Sequence, residues 1–138
     1  MWARIANPRY RGNNYDCYES AFSLLKGQDI DYENIMESDD LESSIARTDQ
    51  YADVGGDTSE YNFGSTLIRY ANEDGDTVHA ATYLGTSKNG TVYTWSKEGN
   101  VQPPTIQTTS QSQIKWGGTV QGFGGNKNGG FFNQTLKR

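Results

Sequence analysis

The spacing of apolar positions changes period near residue 65. Before that point Tyr18, Ala21, Phe22 and Leu25 recur at i, i+3, i+4 and i+7, which places them on one stripe of a helix. The stripe predicts a helix from Asp16 to Lys26, capped by Asn14 or Asp16 and stopped by Gly27. Cys17, Ala21 and Leu24 flank it, so the thiol sits at the border of the core in the first turn. Residues 28–48 are acidic and weakly helical, with Leu41 and Ile45 spaced to hold a short helix and Asp39 or Asp40 as its cap. Residues 49–64 lack any period, are rich in turn chemistry, and read as a surface loop.

From Ser65 onward the alternation is that of strands. Ser65–Ala71, Thr77–Leu84 and Thr91–Ser96 are joined by turns at Asn72-Glu73-Asp74-Gly75 and Ser87-Lys88-Asn89-Gly90, and Asn-Gly is a strong hairpin signal. Beyond Pro103-Pro104, Thr105–Thr108 and Gln113–Trp116 are weaker strand candidates. The pairs Gly117-Gly118, Gly124-Gly125 and Gly129-Gly130 mark 117–138 as a Gly-rich extended tail, and 1–15 as a whole reads as an irregular lead-in. These elements predict the α+β class: an N-terminal helix packed on an antiparallel meander. With 138 residues, one core and one domain over 1–138 are expected.

Composition narrows the partners. The 12 Lys and Arg residues are scattered among 17 Asp and Glu, giving a net charge of −5, so a phosphate backbone finds no basic cluster to engage. A single cysteine rules out an internal disulfide. No segment approaches the ~20 apolar residues of a membrane span, and the first residues lack the apolar run of a secretory signal. Asn7-Pro8 reads as a linker entering the domain from a longer chain.

The candidate chemistry rests on one cysteine and one histidine. A helix N-terminus stabilises a thiolate, so Cys17 is expected to have a lowered pKa, and His79, at the start of a strand, can take and return a proton. A metal site is not expected, since one Cys and one His make no conventional ligand set, and Asp49, Asp53 and Asp57 lack the glycine and terminal glutamate of a calcium loop. No cofactor is expected. If Asn89-Gly90 is a two-residue turn, paired residue numbers sum to 179; His79 then faces Asn100, with Ser96 and Glu98 on the same side. Glu98 is the preferred third residue because a carboxylate stabilises an imidazolium best, with Asn100 next and Ser96 third.

In this order the chain resembles the papain-like cysteine hydrolases, within them the NlpC/P60-type domains and the papain-fold domains of bacterial polymorphic (Rhs-type) toxins. The matching residues are Asn13-Asn14-Tyr15-Asp16-Cys17-Tyr18-Glu19-Ser20-Ala21-Phe22 for the nucleophile helix. They continue with Gly64-Ser65-Thr66-Leu67-Ile68-Arg69-Tyr70 for one strand and His79-Ala80-Ala81-Thr82-Tyr83-Leu84-Gly85 for the histidine strand. Together they span roughly 7–100.

The resemblance implies a thiol-dependent amide hydrolase with Cys17 and His79 as catalytic residues and a third polar residue orienting the imidazole. An oxyanion hole is expected from the Cys17 backbone N–H and a side-chain amide, Asn14 or Asn13. It further implies delivery out of the producing cell as part of a larger secreted protein, action on a protein amide in the target cytoplasm, and a cognate immunity protein. Cleavage of peptidoglycan peptides in the periplasm is the alternative within the family. The competing class is a non-enzymatic protein-binding module, such as an acidic immunity or adaptor protein.

Overall fold

The computed structural model describes residues 16–28, 36–45, 52–55, 58–98 and 103–124. Among the described residues it is an α+β structure with three α-helices and one antiparallel sheet. Helix α1 spans Cys17–Leu25 and α2 Ser38–Ile45; strand β1 spans Ala52–Gly55, followed by a single 3₁₀ turn at Thr58–Glu60. Strands β2 (Leu67–Ala71), β3 (Thr77–Thr86), β4 (Val92–Lys97) and β5 (Pro104–Thr108) follow, then helix α3 (Thr109–Trp116) and strand β6 (Thr119–Gly124). The sheet order is β1-β6-β2-β3-β4-β5. No helix among the described residues is long and apolar enough to cross a membrane.

Helix α1 begins where its capping chemistry puts it. Asp16 lies in extended backbone, and its carboxylate accepts the Glu19 backbone N–H at 2.9 Å, satisfying one of the orphan donors of the first turn. Gly27, at φ 73°, supplies the left-handed residue that ends the helix. The helix is buried all round from Glu19 to Leu25, more completely than its apolar stripe predicts. Its polar residues are satisfied internally: the Ser20 hydroxyl donates to the Cys17 carbonyl at 3.1 Å, and that of Ser23 to the Glu19 carboxylate. Ala21, Phe22 and Leu25 pack with Leu41 and Ile45 of α2 onto Leu67, Ala80 and Phe123, one face of the sheet. A second cluster, Tyr61, Ile68, Tyr70, Ala81 and Tyr83, fills the opposite face.

Three expectations are corrected. Residues 119–124, read as part of a Gly-rich tail, form β6, paired on both sides to β1 and β2 in the sheet interior. Gly122 is there for close approach: a Cβ at that position would lie 2.5 Å from the Tyr61 ring. Glycine was therefore a sign of tight packing and not of slack; residues 125–138 lie outside the described residues. Within 49–64, read wholly as loop, Ala52–Gly55 adds β1 to that strand. Gln113–Trp116, read as a strand, belongs to α3, because Thr108 and Gln111 form a reciprocal capping box at its start.

The β3–β4 hairpin also departs from its predicted register. Ser87 and Thr91 bracket a three-residue loop in which Gly90 adopts φ 88° and its N–H reaches the Ser87 carbonyl at 3.0 Å. That loop shifts the pairing by one residue. A second one-residue shift falls between Tyr83 and Gly85, so that Thr82 pairs with Trp95. Two shifts restore parity, which keeps Ser96 and Glu98 on the face of His79. Among the described residues the β3–β4 ladder runs no further than Thr82↔Trp95, so His79 to Ala81 pair with β2 and not with β4.

Candidate active site

Where the β3–β4 ladder stops, a cavity of about 220 Å³ opens between the sheet and the start of α1. It is lined by Asp16, Cys17, Tyr18, Val78, His79, Lys97, Glu98 and Trp116. Cys17, His79 and Glu98, singled out from the sequence, thus border one space. Asn14, Asn13 and Asn100 lie outside the described residues.

The two central groups reach the cavity from different sides. His79 pairs with Tyr70 in the ladder and shares the face of Ala81 and Tyr83, away from α1. Cys17 heads the helix packed on the Leu67 and Ala80 face. They border the same space where the β3–β4 ladder ends. Among the described residues no hydrogen bond joins the sulfur to the ring, and His79 Nδ1 has no partner.

Ser96, third among the candidates, makes the direct contact to the imidazole, with Oγ 2.8 Å from Nε2. Glu98 Oε2 stands 3.7 Å from Nε2, beyond hydrogen-bond length. That oxygen instead accepts the Trp116 indole N–H at 3.1 Å and lies 3.8 Å from Lys115 Nζ. Trp116 stacks on the imidazole, centroids 4.9 Å apart and planes 11° from parallel. Ser96 therefore orients the ring, while Glu98 fixes the indole that covers it. In the tautomer that donates from Nε2 to Ser96 Oγ, Nδ1 carries the bare lone pair.

Electrostatics overturn the expected thiolate. Burial pushes the Cys17 thiol up to about 12, with the negative charges of Asp16 and Glu98 acting the same way. Backbone hydrogen bonds from Ala80 and Tyr18 oppose the rise and are outweighed. Burial drives His79, 0% exposed, down to about 3, and the Lys115 ammonium adds to the effect. The resting pair is consequently a neutral thiol and a neutral imidazole. Desolvation of the sulfur is the largest of these influences.

Iodoacetamide should therefore modify Cys17 slowly between pH 6 and 8, its rate still rising with pH above 9 as thiolate forms. Rapid modification at pH 6 would establish a thiolate–imidazolium pair instead.

Comparison with family models, with curated proteins and with solved structures finds no match. The resemblance to papain-like hydrolases thus stands on residue order alone.

Two cavity residues escaped the sequence reading. Trp116 was assigned to a strand, although the Thr108-x-x-Gln111 capping box was there to reveal its helix. Lys97 is the last residue of β4 and is 0% exposed; a lysine amid alternating Tyr93, Trp95 and Lys97 gives no sequence signal of burial. Among the described residues no group of three or more His, Cys, Asp or Glu side chains is arranged to hold a metal ion.

Proposed function

We propose that this chain is a thiol-dependent amide hydrolase of papain-like, NlpC/P60-type architecture, with Cys17 as nucleophile and His79 as general base. The observation that carries this reading is the shared cavity: Cys17 lines it together with a buried imidazole held through Nε2 by Ser96 and, among the described residues, unpartnered at Nδ1. Because the resting pair is neutral, the proton leaves Sγ for Nδ1 as sulfur attacks the acyl carbon, and passes from there to the departing amine. Ser96 keeps the ring oriented through both transfers. The substrate class is a protein or peptide amide, with deamidation, proteolysis and cell-wall cleavage sharing this chemistry. The biological setting follows from the residue-order resemblance: a toxin or effector domain, released into a target cell and restrained in its producer by an immunity protein.

A second reading has its own support. Complete burial of His79 beneath Trp116, and a thiol held neutral, suit a non-catalytic protein-binding domain in which both residues are filler.

Expression separates the readings. A toxin acting on cytosolic amides is expected to arrest a bacterial or eukaryotic host when made in the cytoplasm, and Cys17→Ala should be tolerated because alanine keeps the helix and deletes the nucleophile. Harm confined to periplasmic export points to the peptidoglycan-directed enzyme. Equal tolerance of wild type and Cys17→Ala in both compartments contradicts the toxin and supports the binding module.

A further inference from the structure

We propose that Lys97 supplies the positive charge that receives the oxyanion when Cys17 attacks a carbonyl, a role that rests on the hydrolase reading above. Lys97 closes β4 and is 0% exposed, and lysine is almost never fully buried unless it is paired. Its face follows from the register. Leu67 pairs with Thr82 and Thr82 with Trp95; Leu67 belongs to the core beneath α1, so Lys97, two residues beyond Trp95, shares the α1 side. On that side it lines the same cavity as Asp16 and Cys17. Burial lowers its pKa, against the pull of the Asp16 carboxylate and of Cys17 in its thiolate form. His79 and Ser96 occupy the other face, so the base and the cation approach a carbonyl held at Cys17 from opposite sides of the sheet plane.

The step balances without any further reactant. Sγ bonds to the acyl carbon as the thiol proton moves to His79 Nδ1, and the carbonyl π pair moves onto oxygen, where the Lys97 ammonium donates a hydrogen bond. The oxyanion collapses, the C–N bond breaks, and the amine leaves with the proton from Nδ1. A thioester remains on Cys17 for water to cleave. A buried cation in this position favours acyl groups that develop full negative charge on oxygen, amides and esters, over electrophiles that do not.

Two reagents test the role in the full chain. Acylation of Cys17 by 4-nitrophenyl acetate passes through an oxyanion, whereas alkylation by iodoacetamide does not, and both report the supply of thiolate. At pH 9, Lys97→Met is expected to lower the ratio of acylation rate to alkylation rate on the order of 10²-fold, the usual effect of deleting an oxyanion donor. Lys97→Arg should restore most of the ratio. Lys97→Gln, which keeps a donor without the charge, should fall between, and it decides the matter if the methionine variant does not fold. Equal losses in both reactions, or no loss, overturn the assignment while Cys17 remains a nucleophile. Absence of any acetyl group on wild-type Cys17 overturns this proposal and the hydrolase reading together.

Discussion

Replacing Gly118 with alanine is expected to cost about 2–5 kcal/mol and to lower the melting temperature by roughly 10 °C or more. Gly118 sits at φ +84°, where an L side chain is strained. A Cβ there would lie 1.5 Å from the Ala71 carbonyl oxygen and 2.4 Å from its carbon, and both obstacles are backbone. Neither can move away cheaply, because Ala71 pairs with Thr119 at the start of β6. The loss is a large share of the ~5–15 kcal/mol that holds a typical domain together. Gly75→Ala is the matched control: at φ +85° it has open space around the added Cβ, so only the backbone strain of about 1–2 kcal/mol applies. Similar melting temperatures for the two variants would show that β6 does not press on β2 at this point.

His79→Gln is expected to slow acylation of Cys17 by about 10²-fold, the low end of the range for a positioned general base, because an imidazole whose pKa is lowered to about 3 is a weak base. Glutamine retains a polar group within reach of Ser96 but has no lone pair able to accept the thiol proton at neutral pH. The more drastic His79→Ala is a poorer test. The ring is fully buried against Trp116, so its removal leaves a cavity and lost stability mixes with lost chemistry. Unchanged acylation in a folded His79→Gln would assign His79 to packing alone.

Periodicity and capping made much of the scaffold legible. The apolar stripe, Asp16 and Gly27 delimit α1 to within a residue or so, and alternation with turn chemistry locates β2, β3 and β4. The C-terminal third misled, because glycine has two uses. In a tail it signals freedom; at Gly118 and Gly122 it permits backbone and ring to approach where a side chain would collide. The face of the third residue survived for a reason no local pattern displays: the predicted hairpin was off by one at Gly90, and the irregularity near Gly85 returned Ser96 and Glu98 to His79. The thiol was misjudged because the helix N-terminus is local to the sequence, whereas the desolvation that raises its pKa comes from packing against β3 and β4. Lys97 and Trp116 reach the cavity through tertiary packing, which hydrophobic pattern does not encode.

The most direct test of the central claim is to locate the acyl group. Wild type, Cys17→Ser and His79→Gln are exposed to 4-nitrophenyl acetate at pH 9, quenched in acid, and mapped by peptide mass spectrometry. The account predicts one acetyl group on the peptide carrying Cys17 in wild type, released again by hydrolysis on standing, with almost none there in either variant. Acetylation confined to surface lysines and equal in all three proteins would contradict it.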